Sequence, residues 1–279
     1  MSSIPGVTSV GVVGAGLMGT GIAQVCLQAG YDVVVFDSNP EAVLRADARI
    51  KKVLGDGFAG GSLVLANFMG ELADCELIIE AVFERRDVKQ AALKELGQIA
   101  PNSILASNTS TLSITDLASV TPDPRKVAGA HFFSPVPKMK ALEVVRALTT
   151  SDETIALLIA FGASIGKDTF VAPDQAGFLI NRTLIPFMIN CINEWVALRG
   201  SMTMEQFDQA YKNALGHPMG PLTLADLVGL DVLTDAADSM WQQTRRPDHV
   251  CPEIIRQMVA SGWLGRKSKK GFYTYPAKS

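Results

Sequence analysis

Three histidines are the candidates for acid–base chemistry near neutral pH, where an imidazole gains and loses a proton. His217 lies in a Gly/Pro-rich turn, where capping a helix is its plainest role, and His249 lies in a polar stretch that predicts a solvated side chain. His131 ends an apolar stretch that predicts a strand, and Glu143 lies on the next predicted strand. A carboxylate in an apolar layer needs a partner, and a neighbouring imidazole supplies one. From the spacing alone, this pair is either a buried structural contact or a catalytic dyad.

A glycine-rich motif near the N-terminus consists of Gly14, Ala15, Gly16, Leu17, Met18 and Gly19. It follows a predicted strand directly and opens a predicted helix, and Asp37 ends the next strand 18 residues after Gly19. Such a loop lets the backbone approach a pyrophosphate, while the helix N-terminus supplies N–H donors and a partial positive charge. The motif and its context predict a dinucleotide site, and a glycine-rich turn that binds nothing is the alternative.

Asp37 and the residues after it predict which dinucleotide is bound. A carboxylate at this position accepts hydrogen bonds from the ribose hydroxyls and repels a 2′-phosphate. Neither Arg nor Lys follows in Ser38, Asn39 and Pro40, so no adjacent cation favours NADP. FAD is a further alternative, but one early nucleotide fold followed by a helical domain suits NAD, which is the predicted cofactor.

Short β-branched stretches alternate with longer amphipathic ones through the first 170 residues. Strands are predicted at Ser9–Gly14, Asp32–Phe36, Leu77–Val82, Ile104–Ser107, Val127–Phe132 and Leu142–Val145. Helices are predicted at Leu17–Ala29, Pro40–Leu54, Asp87–Ile99 and Asp152–Ile165, with Asp152 as a candidate N-cap. Continuous apolar strands that alternate with helices indicate a doubly wound, mostly parallel α/β sheet of the Rossmann type.

After Pro173 the strand signals stop, and the remaining apolar periodicity is helical. Helices are predicted at Phe178–Leu198, Thr203–Ala214, Leu222–Trp241 and Pro252–Ser261, with Thr203 as a cap. We therefore expect two domains, 1–174 for NAD and an all-helical 175–279 for substrate binding and dimerisation. The first of these helices carries too many polar residues for a membrane span and suits a buried subunit interface.

The composition limits the classes of function. The chain has 279 residues, 48% of them hydrophobic and 19% charged, and a formal charge of −3, which is typical of a globular protein without an affinity for nucleic acid. The four cysteines have neither zinc-ligand nor CxxC spacing, so reduced thiols and no metal site are predicted. The N-terminus lacks the features of a signal peptide, and the expected location is the cytoplasm.

Seven segments carry a resemblance to a known family. They are GVVGAGLMGTGIAQV from Gly11, LIIEAVFE from Leu77, ILASNTSTLSIT from Ile104, HFFSPVPKMKALEVV from His131, GFLINR from Gly177, GHPMGPLTLADLVGLD from Gly216 and GWLGRKSKKGFYTY from Gly262. In this order they resemble the 3-hydroxyacyl-CoA dehydrogenase family, especially its short-chain 3-hydroxybutyryl-CoA type. The resemblance implies a typically dimeric, NAD-dependent enzyme that interconverts L-3-hydroxyacyl-CoA and 3-ketoacyl-CoA.

The resemblance also implies roles for residues at matching positions. His131 would take the proton of the 3-hydroxyl group, and Glu143 would orient its imidazole. Ser110 and Asn181 would position the substrate oxygen in a cleft between the domains, although Asn181 without its motif could equally form an interhelical hydrogen bond. Further NAD contacts would come from Glu84, Lys89, Asn108, Ser134 and Lys267. Without the resemblance, Glu84 and Lys89 indicate a solvated helix start, and Lys267 a basic tail.

The stretch between Asp37 and Glu80 departs from the family, because it is shorter than the helical hairpin that helps to bind coenzyme A. Lys51 and Lys52 are the nearby cations and become candidates for substrate binding, with a solvated helix face as the alternative. A free 3-hydroxy acid or a carrier-protein-bound 3-hydroxyacyl group is therefore the alternative substrate. A non-catalytic NAD-binding protein is the alternative from another class, and the presence of His131 disfavours it.

Overall fold

The computed structural model describes residues 6–55, 58 and 60–276, and the chain divides into two units between Gln175 and Ala176. The first unit alternates strands and helices: β1 (Ser9–Val13), α1 (Leu17–Gln28), β2 (Asp32–Phe36), α2 (Pro40–Leu54), β3 (Leu63–Leu65), β4 (Leu77–Glu80), α3 (Arg86–Ile99), β5 (Ile104–Ser107), α4 (Ile114–Ala118), β6 (Val127–Phe132), β7 (Ala141–Arg146), α5 (Asp152–Ser164) and β8 (Asp168–Pro173). They build one eight-stranded sheet in the order β3-β2-β1-β4-β5-β6-β7-β8. Every neighbouring pair is parallel except β6 and β7, which confirms the predicted Rossmann-like sheet.

The central strands are buried on both faces, which explains their continuous apolar sequences. Successive residues of β4, which point to opposite faces, have no exposed surface: Leu77, Ile78 and Ile79. Each such side chain contributes about 1.5–3 kcal/mol by leaving water. This apolar layer fixes the carboxyl ends of the parallel strands, where ligands bind in sheets of this kind.

Two strands were not predicted, and one cap was wrong. β3 has three half-exposed or exposed residues, too few to produce a periodic signal. β8 begins and ends with the exposed residues Asp168 and Pro173, as an edge strand permits. Helix α5 is capped by Ser151, whose side chain accepts a hydrogen bond from the Thr154 N–H group, and not by Asp152.

The second unit is helical, with α6 (Ile180–Ala197), α7 (Met204–Leu215), α8 (Pro221–Val228), α9 (Leu230–Thr244) and α10 (Glu253–Ala260). Its own core includes Met188, Leu222 and Leu233. Thr203 caps α7 in a reciprocal capping box with Gln206, as predicted. The single helix predicted over Leu222–Trp241 is wrong, because Gly229 at φ +104° separates α8 from α9.

In the part of the chain that the structure describes, no helix is long and apolar enough to cross a membrane. Cys26, Cys75, Cys191 and Cys251 are all free and buried. Burial raises the pKa of the Cys75 thiol to about 11, so the thiol is protonated at neutral pH. These side chains therefore act as small apolar groups in the core.

Candidate active site

His131 and Glu143 are direct partners across the antiparallel pair β6 and β7. Side chains at such positions stand on the same face of a sheet and within reach of each other. The imidazole Nδ1 lies 2.8 Å from the Glu143 Oε2 atom, and His131 is 4% exposed while Glu143 is fully buried. The Phe133 ring lies against the imidazole, with 4.6 Å between the ring centroids. The sheet register thus brings together the two residues that the sequence singled out.

The other two histidines have different surroundings. The prediction that His249 is solvated is wrong: the side chain is fully buried, and its Nδ1 atom lies 2.7 Å from the Thr244 hydroxyl. Burial lowers the pKa of the His249 imidazole and favours its neutral form. His217 is half-buried, and its ring meets that of Phe187 edge to face, at 6.2 Å between the centroids. The short sequence around His249 gave no periodic signal for burial.

The glycine-rich loop is closed by contacts that only glycine permits. Gly14 has φ +101°, and a Cβ atom there would lie 2.5 Å from the Ala81 carbonyl oxygen after β4. At Gly19 a Cβ atom would lie 1.7 Å from the Gly14 carbonyl oxygen. A Cβ atom at Gly16, by contrast, would face no described heavy atom within 4 Å. The loop is therefore packed on the protein side and open at Gly16, where a pyrophosphate can approach.

The start of α1 and the end of β2 provide the polar groups of this loop. Among the described residues, no side chain caps the N-terminus of α1, so its first N–H groups are available to an anion. The Asp37 carboxylate accepts hydrogen bonds from the Ala15 N–H group at 2.7 Å and from the Asn39 N–H group at 2.8 Å. A carboxylate has about four lone-pair sites, so Asp37 can accept further hydrogen bonds from a ribose. These groups fit a dinucleotide.

A buried ion pair lies beside the loop, and the sequence analysis missed half of it. Glu80, fully buried at the end of β4, binds the Lys89 ammonium group at 2.8 Å, and Lys89 is only 1% exposed. Glu80 also accepts hydrogen bonds from the Val82 N–H group at 2.8 Å and the Ser107 hydroxyl at 2.7 Å. The interpretation of Lys89 as part of a solvated helix start is therefore wrong. The signal for Glu80 was a lone carboxylate in an apolar strand, the same signal that selected Glu143.

Glu84 connects this ion pair to the loop that carries Ser110. Its Oε2 atom lies 3.3 Å from the Lys89 ammonium group. Its Oε1 atom accepts hydrogen bonds from the Thr109 hydroxyl at 2.6 Å and the Ser110 N–H group at 2.8 Å. Asn108, just before this loop, accepts a hydrogen bond from the Phe132 N–H group at 3.0 Å. Glu84, Lys89, Asn108 and Ser110 therefore lie in one network of contacts.

The remaining predicted site residues are placed as follows. Ser134 is exposed in the segment after His131, and Asn181 is half-buried in the first turn of α6 in the second unit. Lys267, also in the second unit, forms an ion pair with Asp231 and is not part of a loose basic tail. On α2, Lys51 donates to Asp47 at 2.9 Å, and Lys52 is exposed.

Comparison with known proteins identifies the family. The family model described as the NAD binding domain of 3-hydroxyacyl-CoA dehydrogenase matches residues 9–175, and the model of its C-terminal domain matches residues 177–275. The chain belongs to the 3-hydroxyacyl-CoA dehydrogenase family. It is thus an NAD-dependent oxidoreductase, and Gly14–Gly19 and Asp37 are the groups that fit its cofactor.

Individual family members are similar over nearly their whole lengths. A 3-hydroxybutyryl-CoA dehydrogenase of Mycobacterium tuberculosis is 39% identical over 281 residues, covering 95% of this chain and 98% of the relative. A probable 3-hydroxybutyryl-CoA dehydrogenase of Deinococcus radiodurans is 41% identical, with 95% and 99% covered. The crystal structure of (S)-3-hydroxybutyryl-CoA dehydrogenase PaaH1 from Ralstonia eutropha superposes with a TM-score of 0.88 at 35% identity, covering 97% of this chain and 100% of that one.

Proposed function

We propose that this family member interconverts short-chain L-3-hydroxyacyl-CoA and 3-ketoacyl-CoA, with His131 as the general base and acid and Glu143 as its orienting partner. The contact that carries this proposal is the 2.8 Å hydrogen bond between the imidazole Nδ1 and the buried Glu143 carboxylate. A carboxylate on one ring nitrogen fixes the tautomer of the ring. The proton that passes to and from substrate therefore uses the Nε2 atom of His131.

In the proposed reaction, the proton is exchanged with a side chain of this protein and the hydride with the cofactor. In the oxidation, His131 Nε2 accepts the proton of the 3-hydroxyl group. NAD held by the glycine-rich loop and Asp37 would supply the acceptor for the hydride that leaves carbon 3. Glu143 stabilises the resulting imidazolium through its negative charge. In the reduction, the imidazolium returns the proton to the 3-keto oxygen. Ser110 and Asn181, which match family positions, are proposed to donate hydrogen bonds to that oxygen.

The other groups of the NAD site follow from the same proposal. Asp37 would accept hydrogen bonds from the ribose hydroxyls, and the N–H groups at the N-terminus of α1 would bind the pyrophosphate. The further proposed NAD contacts are Glu84, Lys89, Asn108, Ser134 and Lys267. Because Lys89 is enclosed by Glu80 and Glu84, its contribution is to fix the Glu84 carboxylate and the loop after β4.

The names of the relatives support a short acyl chain, since those from Mycobacterium tuberculosis and Ralstonia eutropha are both 3-hydroxybutyryl-CoA dehydrogenases. One observation favours a second candidate, a free or carrier-bound 3-hydroxy substrate. Eight residues separate the end of α2 at Leu54 from the start of β3 at Leu63, which agrees with a stretch shorter than the coenzyme A-binding hairpin of the family. Lys51 and Lys52, at the end of α2, are the cations proposed to meet the coenzyme A phosphates.

Steady-state rates with NADH test the proposal and separate the two candidates. We expect reduction of acetoacetyl-CoA, with a lower kcat/KM for a minimal acetoacetyl thioester that lacks the nucleotide. Replacing Lys51 and Lys52 by Met should raise KM for acetoacetyl-CoA and leave kcat unchanged, since uniform binding is lost. No turnover of acetoacetyl-CoA would contradict the proposed activity. Equal kcat/KM for the two thioesters would favour the free or carrier-bound substrate.

A homodimer is proposed as the working form, as the family resemblance implies. Large apolar side chains on the surface of the helical unit support it, among them Leu227, Val232 and Trp241. Large apolar side chains that stay exposed in a folded unit are candidates for burial against a second copy. Light scattering after gel filtration measures the mass directly: about twice the 29.8 kDa of the chain supports the dimer, and a single-chain mass contradicts it.

A further inference from the structure

Lys167 is a buried cation that lies outside the groups assigned so far. It stands between α5 and β8, and its side chain is buried. Its ammonium group donates hydrogen bonds to two backbone carbonyl oxygens, those of Val136 and Met139, each at 2.6 Å. Burial lowers the pKa of the Lys167 amine, because the charged form has lost much of its water.

Both acceptors belong to the segment 133–140, which joins β6 to β7. Six of its eight residues are exposed: Ser134, Pro135, Pro137, Lys138, Met139 and Lys140. An exposed connection of this kind has little core packing to hold it, so its few fixed contacts determine its position. Lys167 supplies two of these contacts, and the neighbouring Asp168 N–H group donates to the Lys140 carbonyl oxygen at 2.8 Å.

The segment touches the proposed catalytic group at one end and the cofactor helix in its middle. Phe133, its first residue, packs on the His131 imidazole. Val136 is buried against Gly21 of α1, where an added Cβ atom would lie only 2.9 Å from the Val136 Cβ atom. The segment therefore connects His131 with the helix whose N-terminus fits the dinucleotide. The Lys167 ammonium group binds the backbone of this segment.

A lysine that served only to pack this position would be unfavourable for the stability of the fold. Burying an ammonium group costs several kcal/mol unless its donors are satisfied, and an unbranched apolar side chain would avoid that cost. Local rules of this kind are broken most often where function requires it. The two donors of Lys167 fix the segment at two points three residues apart, which one apolar contact cannot do.

We propose that Lys167 is a positioning residue, whose two hydrogen bonds fix the position of the segment 133–140 and of Phe133 within it. This position orients the His131 imidazole and supports binding of the cofactor. This proposal rests on the proposed role of His131. Lys167 touches neither substrate nor the reacting atoms, and it acts through the segment alone.

The test compares Lys167→Met with a matched control, Lys126→Met. Lys126 also donates to a backbone carbonyl, that of Pro101 at 2.9 Å, but its side chain lies elsewhere in the first unit. Three quantities are measured on each folded variant: the rate of tryptic cleavage after Lys138 or Lys140, the Kd for NADH, and kcat per NADH-binding site. The cleavage rate and the Kd for NADH need no substrate. Dividing kcat by the number of NADH-binding sites removes the contribution of unfolded molecules.

For Lys167→Met we expect faster cleavage after Lys138 and Lys140, weaker NADH binding, and a kcat per binding site lower by roughly 10- to 100-fold, since small displacements of a catalytic group cost this much. Lys126→Met should match the wild type in all three. A purely structural Lys167 would lower the melting temperature and the number of binding sites but leave kcat per site unchanged. A folded Lys167→Met enzyme with wild-type cleavage and kcat would overturn the proposal.

If Lys167→Met does not fold, Val136→Ala decides the question, because it loosens the segment on the α1 side and leaves the lysine in place. The same three changes are expected at smaller size, and unchanged values in the folded variant would overturn the proposal. If the wild type fails to reduce acetoacetyl-CoA, the proposed function fails. Cleavage and NADH binding then still show whether Lys167 holds the segment.

Discussion

Two glutamates of the first unit share the same environment but have different partners. Glu80 and Glu143 both lie on strands, both are fully buried, and each binds a basic side chain at 2.8 Å. The partner of Glu80 is the Lys89 ammonium group, whose positive charge is paired with the carboxylate. The partner of Glu143 is the imidazole of His131, and imidazole is the side-chain group best suited to general acid–base chemistry. The partner, and not the burial, therefore distinguishes the carboxylate that we propose supports proton transfer.

The other contacts of the two glutamates also distinguish a structural pair from the proposed catalytic one. Glu80 is surrounded by donors, since Val82 and Ser107 also bind it, and it ties the end of β4 to that of β5. A saturated pair of this kind acts as a fixed element of structure beside the glycine-rich loop. Glu143 instead places its charge beside an imidazole, and this is the pair that we propose for proton transfer.

The largest expected effect comes from breaking the His131–Glu143 pair, which we propose transfers the proton. His131→Gln removes the base but keeps a polar side chain of similar length, so kcat should fall by roughly 10²- to 10⁴-fold while NADH binding stays close to the wild type. Stopped-flow reduction of acetoacetyl-CoA and NADH titration measure the two quantities. Near-normal turnover in this variant would remove His131 from the mechanism.

Breaking the Glu80–Lys89 pair should instead lower the free energy of unfolding. Lys89→Met leaves the Glu80 charge buried without its cation, which typically costs about 3–5 kcal/mol. Lys94→Met, an exposed position on the same helix α3, is the matched control and should change stability by less than about 0.5 kcal/mol. Urea denaturation gives both values. Equal stability of the two variants would show that the Glu80–Lys89 pair does not stabilise the fold.

The sequence predicted much of this architecture because the relevant signals are local. Apolar strands, amphipathic helices and the glycine-rich motif mark most of the first unit, and the antiparallel β6–β7 pair puts His131 opposite Glu143. Glu80 carried the same signal as Glu143, but its partner Lys89 lies on a helix, and sequence spacing does not show that a helical lysine turns into the core. Glu80 was therefore missed, and without the family resemblance Lys89 indicated only a solvated helix start.

His249 and Gly229 show the same limit in the second unit. The polar neighbours of His249 indicate solvent, yet packing among α6, α9 and the short turn around residue 249 buries it. Gly229 lies inside an apolar periodic stretch, and its left-handed φ follows from how α8 and α9 pack rather than from the local pattern. Such features depend on tertiary contacts, which a single sequence does not display.

Asp37 is a third, half-exposed carboxylate, and its hydrogen-bond partners in the described part of the chain are the Ala15 and Asn39 N–H groups. Its predicted role is to accept hydrogen bonds from the ribose hydroxyls and to repel a 2′-phosphate. Asp37→Ser should reduce the preference for NADH over NADPH by about 1–3 kcal/mol, the cost of losing charged hydrogen bonds. The ratio of kcat/KM for the two cofactors measures this preference. A wild type that uses NADPH as well as NADH would contradict the assignment.

The pH dependence of 3-hydroxybutyryl-CoA oxidation in Glu143→Gln and Glu80→Gln tests the central claim most directly. Oxidation needs the neutral imidazole, so the wild-type rate should fall as the pH is lowered. In Glu143→Gln the imidazolium loses its carboxylate partner and is less stable, so the midpoint of the pH–rate profile should move to lower pH. In Glu80→Gln the midpoint should stay where it is in the wild type, whatever happens to NADH binding or stability. An unmoved midpoint in Glu143→Gln, or an equal displacement in Glu80→Gln, would contradict the account.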